Sequence, residues 1–403
     1  MKRALTLLTA LIATAGVHAQ MTSGDWIVTN RSQLAPGVFR LTPSTGVWEN
    51  LTAGDVVSYS GVSMAADNST MLLMNVRDYT LDTFDVATGL SAGPRMTTIP
   101  QQVVLDQDGS YLTAQDYGLF RINPATGVET LVWFGFNQFI RGVCIDGQTG
   151  DYVTVGMGPF FNGTMTRVDP ISLLSTDIAT GLGDVSCIDY NPIAGEFLVA
   201  NGDQNYPVLR VSAAGVVSVF SNFAPSGAKA LRIDPTTGNV LVAGVNSVAL
   251  LNPAGNVLAS FVTPTSFGEA LGVDFYGSRW TSTSGQAAGG FDFAIQFRDP
   301  TASNRLYIAA LSDSISAGFP FNDGTGYCVC LQMNDLFWAT FGGLPGLVDG
   351  FSGALDASGS ATGYVRLPVG FPEGIRLHAQ PLIADPTKPY GVRPGNPVSF
   401  TTR

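Results

Sequence analysis

The stretch Ala228 to Gly244, AKALRIDPTTGNVLVAG, decides the fold. It reads as an apolar run, an Asp, a tight turn holding Gly238 and a second apolar run, which is the signature of two short antiparallel strands joined by a turn. Variants aligned on that Asp occur at Asp67, Asp106, Asp146, Asp189 and Asp274, with spacings of 39, 40, 43, 45 and 40 residues. A second hairpin sentence alternates with the first, as in GVFRLTPSTGVWENL, GLFRINPATGVETLV and SVALLNPAGNVLASF. Each period therefore carries four strands, and a period near 41 residues with four strands predicts a propeller blade. In this register the Asp is expected to cap its turn by accepting backbone N–H groups. The Gly is expected to supply the positive φ the turn needs.

DWIVTN, Asp25 to Asn30, matches a second strand without a first, and ALGVDF, Ala270 to Phe275, is a first strand without partners. Pairing these two ends closes an all-β, six-bladed β-propeller. RWTSTS is then an extra second-type strand, and seven blades is the alternative count. SGQAAGG, Ser284 to Gly290, has linker composition. The following segments, among them FDFAIQF, RLYIAALS, GYVRLPVG and RLHAQPLIAD, alternate like half-buried strands and predict a smaller β-sandwich. The expected division is a leader over 1–19, a propeller over 20–283, a linker over 284–290 and a sandwich over 291–403.

Composition bounds the function. Lys2 and Arg3 precede an apolar run from Ala4 to Gly16, with small residues near Ala19, as in a secretion signal. Removing 1–19 leaves 18 basic against 31 acidic residues, a net charge near −13. That charge opposes nucleic acid and anionic lipid as partners, and no segment is expected to insert in a membrane. The four cysteines do not form a disulfide framework at this length; Cys144 and Cys187 are expected to be buried thiols, and Cys328 and Cys330 share one strand face. The only histidines are His18 and His378, the second expected on a surface. No nucleophile, zinc or phosphate-loop motif is present in the sequence, DQDG at Asp106 is half a calcium loop, and no cofactor or metal is expected.

The candidate site comes from register. Five residues before each Asp stand Val62, Gln101, Arg141, Asp184, Lys229 and Glu269, on the strand expected to be innermost. They should form a ring at one mouth of the central channel, with charge alternating from Arg141 to Glu269. The loops on that face carry Asn30, Asp78, Tyr79, Asp116, Tyr117, Phe160, Phe161 and Tyr206, a set suited to stacking on sugars or anchoring a protein. Arg40, Arg121, Arg167 and Arg210 recur with the blade and are expected to brace one blade against the next.

The repeated hydrophobic-Asp-turn-Gly-hydrophobic sentence and the FRINPATG-type hairpins resemble the six-bladed propeller superfamily that includes NHL-repeat proteins, lyase-like secreted propellers and the SMP-30/gluconolactonase group, over residues 20–283. The resemblance implies architecture and two classes of activity. A lyase-like activity in that group uses a catalytic His, and none stands between 20 and 377. A metal-dependent lactonase brings several carboxylates or Asn to one cation, and here Lys229 interrupts Asp184 and Glu269. GALDASGSATGYVRLP and RLHAQPLIADP resemble a C-terminal module of secreted bacterial repeat proteins, which implies an accessory or display role. The expected function is a secreted, non-enzymatic module binding an extracellular protein or glycan at the channel mouth. A propeller hydrolase or lyase using Asp184 and Glu269 is the alternative. If the leader reading holds, Edman sequencing of the exported protein will start at Gln20; a start at Met1 or beyond Asp25 would overturn it.

Overall fold

The computed structural model describes residues 25–402 apart from 32–35, 53–56, 65–69, 86–88, 92, 99, 107–109, 125, 136–137, 159–161, 203–206, 223–224, 226, 235–236, 265–268, 276–279, 285–286, 288–289, 291, 300–301, 314, 321–327, 332, 342–345, 358, 374, 387–390 and 396–397. The leader expectation therefore lies outside the described residues.

The strands fall into antiparallel sheets in chain order. β1 (Trp26–Arg31), β2 (Gly37–Thr42) and β3 (Val47–Asn50) begin the first sheet. β4 (Tyr59–Met64), β5 (Thr70–Asn75), β6 (Thr80–Asp85) and β7 (Gly89–Ser91) form the second. β8 (Pro100–Leu105), β9 (Tyr111–Gln115), β10 (Gly118–Ile122) and β11 (Glu129–Phe134) form the third. β12 (Phe139–Ile145), β13 (Tyr152–Met157), β14 (Gly163–Val168) and β15 (Ser175–Thr180) form the fourth. β16 (Val185–Asn191), β17 (Glu196–Asn201), β18 (Val208–Ser212) and β19 (Val217–Ser221) form the fifth, and β20 (Ala230–Ile233), β21 (Val240–Ala243), β22 (Ser247–Leu251) and β23 (Val257–Val262) the sixth. β24 (Glu269–Phe275) returns to the first sheet and pairs with β1, with Trp26 opposite Phe275 and Arg31 opposite Glu269. The chain is a β-propeller.

The innermost strands touch in the order β4, β8, β12, β16, β20, β24 and back to β4. Period-two alternation explains the stacking. In TMLLMN, Met71 and Leu73 enter the cluster shared with the first sheet, while Leu72 and Met74 enter the cluster shared with the third. Likewise Phe197 and Val199 face the fourth sheet, and Leu198 and Ala200 face the sixth. Each sheet thus has two apolar faces and needs a neighbour on both sides.

The turn glycines correct the register. Gly150 and Gly238 lie four residues after Asp146 and Asp234 and donate their N–H to the carbonyls of those residues at 2.6 and 2.8 Å. In the fifth sheet, Gly195 donates to the carbonyl of Asn191 at 2.9 Å, so Asn191 holds the turn position. Asp146 caps its turn through the N–H groups of Gln148 (2.8 Å) and Thr149 (3.3 Å), and Asn191 does so through Ile193 and Ala194. Asp189 stands two residues earlier, inside β16, and does not cap. Its carboxylate instead accepts the N–H of Ile233 on β20 at 2.9 Å. Asp274 inside β24 accepts the N–H of Met64 on β4 at 2.8 Å. By strand register, opposite Leu198, Leu241 and Ile27, Asp189, Arg232 and Asp274 occupy one layer of three consecutive strands, and Arg232 reaches both carboxylates, at 3.9 Å to Asp189 and 3.3 Å to Asp274.

The repeated arginines brace mainly within their own sheets. Arg40 meets Asp25 at 3.1 Å, Arg167 meets Asp146 at 2.9 Å and Arg210 meets Glu196 at 3.0 Å. Arg121 meets Asp106 at 2.7 Å, and Tyr152 of the next sheet donates to the same carboxylate at 2.6 Å. Arg210 also donates to the carbonyl of Pro253. Arg121 also donates to the hydroxyl of Tyr152 and lies over its ring, so Arg121 and Arg210 each reach the neighbouring sheet as well as their own.

After Phe275 the pattern changes. β25 (Trp280–Ser284) pairs with β26 (Asp292–Arg298), so RWTSTS belongs to the C-terminal sheets and not to the repeat. Ala287, within the expected linker, is buried in the C-terminal core. That core lies between the sheet holding β26 and β32 (Ser360–Arg366) and the sheet holding β27 (Leu306–Ser312), β33 (Arg376–Ala384) and β35 (Val398–Thr401). The remaining strands are β28 (Ile315–Pro320), β29 (Cys328–Leu331), β30 (Val348–Asp349), β31 (Ser352–Ala354) and β34 (Val392–Pro394). Helix α1 (Asp335–Phe341) packs on the other face of β27, where Phe337 joins Ala310 and Leu331. His378, between Ser312 of β27 and Ser399 of β35, is 3% exposed and not a surface residue.

Replacing Arg232 by Met leaves Asp189 and Asp274 without their shared cation. We expect a loss of about 3 kcal/mol at pH 8, the range for breaking a buried pair from one side. Burial already holds the Asp189 carboxyl above its ordinary range. A raised carboxyl favours the fold below its unfolded value of about 4 and loses that contribution as pH rises. The deficit should therefore shrink toward pH 4.5 in urea titrations; a pH-independent deficit would contradict the layer.

Candidate functional site

Strand direction sets the site. Each innermost strand starts on the face that carries the loop between its second and third neighbours, since Asn30 at the end of β1 lies opposite Ala270 near the start of β24. On that face a cavity of about 640 Å³ opens over the channel. Val62, Gln101, Arg141, Asp184, Lys229 and Glu269 all line it, with Tyr79 and Asp116. Six residues spread over more than 200 positions of sequence thus meet at one opening.

They do not stand at one level. A β-bulge falls at Gln101 in β8, at Arg141 in β12, at Ser186 in β16 and at Leu271 in β24. These residues, with Lys229, form one layer. Asp184 and Glu269 stand two residues nearer the mouth, about 7 Å along a strand. The shift has the same origin as the turn correction, because Asp189 lies two residues before the turn position held by Asn191, and Asp274, opposite Ile27 of β1, takes the same register in its sheet. Counting back from Gly195 rather than from Asp189 would have found it.

The result is a stratified mouth. Among the described residues the rim is acidic, with Asp184 and Glu269 exposed and Asp116 beside them. The next layer is basic, with Arg141 and Lys229. Lys229 reaches up to Asp184 at 3.8 Å. Arg141 and Glu269, on strands opposite one another in the ring, have no ion-pair or hydrogen-bond partner among the described residues. The wall below is closed by hydrogen bonds. Gln102 donates to the carbonyl of Ile188 at 2.9 Å and accepts the N–H of Val143 at 3.1 Å, tying β8 to β12 and β16. Gly142 permits this, since a Cβ there would lie 2.6 Å from the Gln102 oxygen and 3.0 Å from the Ile188 nitrogen. Gln102 and Arg232 carry no signal in the repeated Asp register.

Of the loop residues, Tyr79 holds a φ of 56° at the rim, a left-handed backbone unusual for a bulky side chain. The N–H of Met96 donates to its carbonyl at 2.6 Å. Tyr117 packs on Phe139 with ring centroids 4.9 Å apart and lies beside the cavity rather than in its wall. Asn30 accepts the N–H of Gly37 in a buried loop clamp, and Asp78 is bound by Asn75. Tyr206, Phe160 and Phe161 lie outside the described residues, as do the last three residues of DQDG. Among the described residues no three His, Cys, Asp or Glu side chains are grouped as a metal site.

No family model matches the chain, and no curated protein matches it in sequence. Among solved structures it is similar to a chain of a nidogen/laminin complex, with a TM-score of 0.52, 11% identity, and coverage of 62% of this chain and 98% of that one. It is also similar to regucalcin from Agrobacterium tumefaciens, a calcium-binding protein, with a TM-score of 0.46, 17% identity and coverage of 60% and 82%. A protein from Bacteroides caccae gives 0.47, 13%, 62% and 98%. At these identities the likeness is one of fold.

Cys187 lines the cavity, and Cys144 lies near Arg232, Asp189 and Asp146. Both are free and buried. Desolvation pushes the Cys187 thiol up to about 12 and raises Cys144 well above the ordinary thiol range, with Asp189 and Asp146 adding to the latter shift. A raised pKa leaves no thiolate to react at pH 8. In a C328S/C330S background, Ellman's reagent should find both thiols silent in the folded protein and both reactive in guanidinium; fast reaction without denaturant would refute the buried setting.

Proposed function

We propose that the chain is an exported binding module. Its six four-stranded sheets are read as the blades of a six-bladed ring ending at Phe275. The segment from Trp280 onward is read as a β-sandwich, and the channel mouth as the place where an extracellular protein or glycan docks. The observation that carries this reading is the convergence of Gln101, Arg141, Lys229 and Glu269, from four separate sheets, on one open cavity. Below them the ion pairs of Arg232 and the hydrogen bonds of Gln102 are satisfied within the protein, whereas Arg141 and Glu269 are left to a partner. A volume of about 640 Å³ lies in the range that small ligands or an inserted side-chain group occupy.

Tyr79 and the Tyr117–Phe139 pair add rigid aromatic surface at the rim, the kind of group that anchors interfaces and sugar rings. The similarity to a chain of a nidogen/laminin complex supports a macromolecular partner, since that fold there belongs to an assembly of two proteins. The leader-like start and the acidic net charge support export and partners other than nucleic acid. Asp184 is drawn toward Lys229, which stands between it and Glu269 immediately before β20. The two carboxylates are therefore held apart by a cation, an arrangement that suits recognition of mixed charge better than acid–base chemistry by the pair.

The test is an array of glycans and extracellular proteins probed with the full mature chain, followed by titration of each hit against Y79A and R141Q. Binding confined to a few hits and weakened about tenfold or more by both changes is expected, the loss typical of an interface anchor. Hits indifferent to both substitutions, or an empty array, would overturn the reading.

A further inference from the structure

The stratification of charge carries more than a general docking face. From the rim inward, the cavity presents carboxylates first (Asp184, Glu269 and Asp116) and cations second (Arg141 and Lys229), with about 7 Å along the strand between layers. We propose that the mouth selects a zwitterionic group that enters anion first, its carboxylate seated on Arg141 and its ammonium left at the rim against Glu269. This rests on the reading of the mouth as a binding site and names the chemistry it accepts.

Three features set the polarity. Lys229 is already engaged by Asp184, which leaves Arg141 as the cation open to a ligand in the inner layer. Its guanidinium offers a planar fork that matches a carboxylate. Glu269 is exposed, without an ion-pair partner among the described residues, and sits across the ring from Arg141 on β24. A ligand spanning the opening meets both. Farther down, Arg232 is held between Asp189 and Asp274, so that layer is acidic on balance and repels an anion that would travel past Arg141. An anionic sugar with no cation would satisfy Arg141 but face the rim carboxylates, and a cation alone would satisfy the rim but meet Arg141 and Lys229. Only a molecule or terminal group carrying both signs matches both layers.

The probe is the series of ω-amino acids from 3-aminopropanoate to 8-aminooctanoate, each also as its methyl ester and its N-acetyl form, titrated into the full mature chain by calorimetry. An optimum within the series is expected, with either blocked form weaker by about tenfold or more, as for loss of one charged hydrogen-bonding partner. R141Q should erase the preference for the free acid over the ester while keeping that for the free amine over the amide. E269Q should do the reverse, and R141K should fall between wild type and R141Q. Equal binding of free and blocked forms, or variants that weaken all forms alike, would overturn the proposal. So would an absence of binding by the whole series in a protein whose unfolding midpoint is unchanged. Competition between the best ω-amino acid and an array hit separates a free zwitterion from the same group displayed on a macromolecule. An array hit that depends on Tyr79, with no ω-amino acid binding or competing, would leave the docking reading standing and remove only the charge selectivity.

Discussion

A sheet with two apolar faces has no stable surface of its own. Met71 and Leu73 point one way from β5, Leu72 and Met74 the other, and all four are essentially removed from solvent. The same holds for Phe197 with Val199 and Leu198 with Ala200 in β17. Burying both faces requires a neighbour on each side of every sheet, and in a linear stack the two terminal sheets would lack one. The pairing of β1 with β24 removes the ends by building one sheet from the first and last strands of the repeat. Trp26, Val28, Ala270 and Val273 from that composite sheet then share a cluster with Leu241 and Val248 of the sixth. Every other feature of the hub depends on that closure, because only a closed arrangement gives the innermost strands neighbours on both sides.

Closure also explains why the hub tolerates so much charge. Asp189 and Asp274 stand in strands rather than at turns, and their carboxylates reach the backbone of the next strand round the ring. Arg232 joins them in the same layer. Three charged groups so placed are costly to desolvate singly, and their arrangement offsets that cost by giving each carboxylate a backbone donor as well as the guanidinium. Glycine contributes where strands approach most closely: a Cβ on Gly272 would lie 2.8 Å from the Cα of Gly61 on β4. At the outer end of the channel Arg141 and Glu269 face the opening without an ion-pair partner among the described residues.

Much of this was legible in the residues. The spacing of Asp106, Asp146, Asp234 and Gly238 named the hairpin, and the unpaired ends DWIVTN and ALGVDF named the partner strands that close the first sheet. Gln101, Arg141, Lys229 and Glu269 were found by register alone, and the cavity collects them. The level of Asp184 and Glu269 was not legible, because the repeated Asp is not the fixed point of the repeat. The turn is fixed by its positive-φ glycine, 66° at Gly195 and 71° at Gly150, and the residue four before it need not be Asp. His378 was not legible for a different reason. Its neighbours Arg376 and Gln380 suggested a polar face toward solvent, but that face of β33 also carries Leu382, which packs into the cluster of Ala310, Leu331 and Phe337, and a covering layer leaves no mark in the strand it covers.

The sequence by itself determined the strand count of each repeat, the turns, the apolar alternation and the ends that meet, because those are set by local geometry and by a period of two. Only the tertiary structure decided which side chains share a layer, that Arg232 stands between two carboxylates, that β25 joins the C-terminal sheets, and that acid lies above base at the channel mouth. Those are relations between strands some 40 residues apart, fixed by bulges and by contact across the ring, and a bulge shifts every later side chain without changing the residue types from which the strand is read.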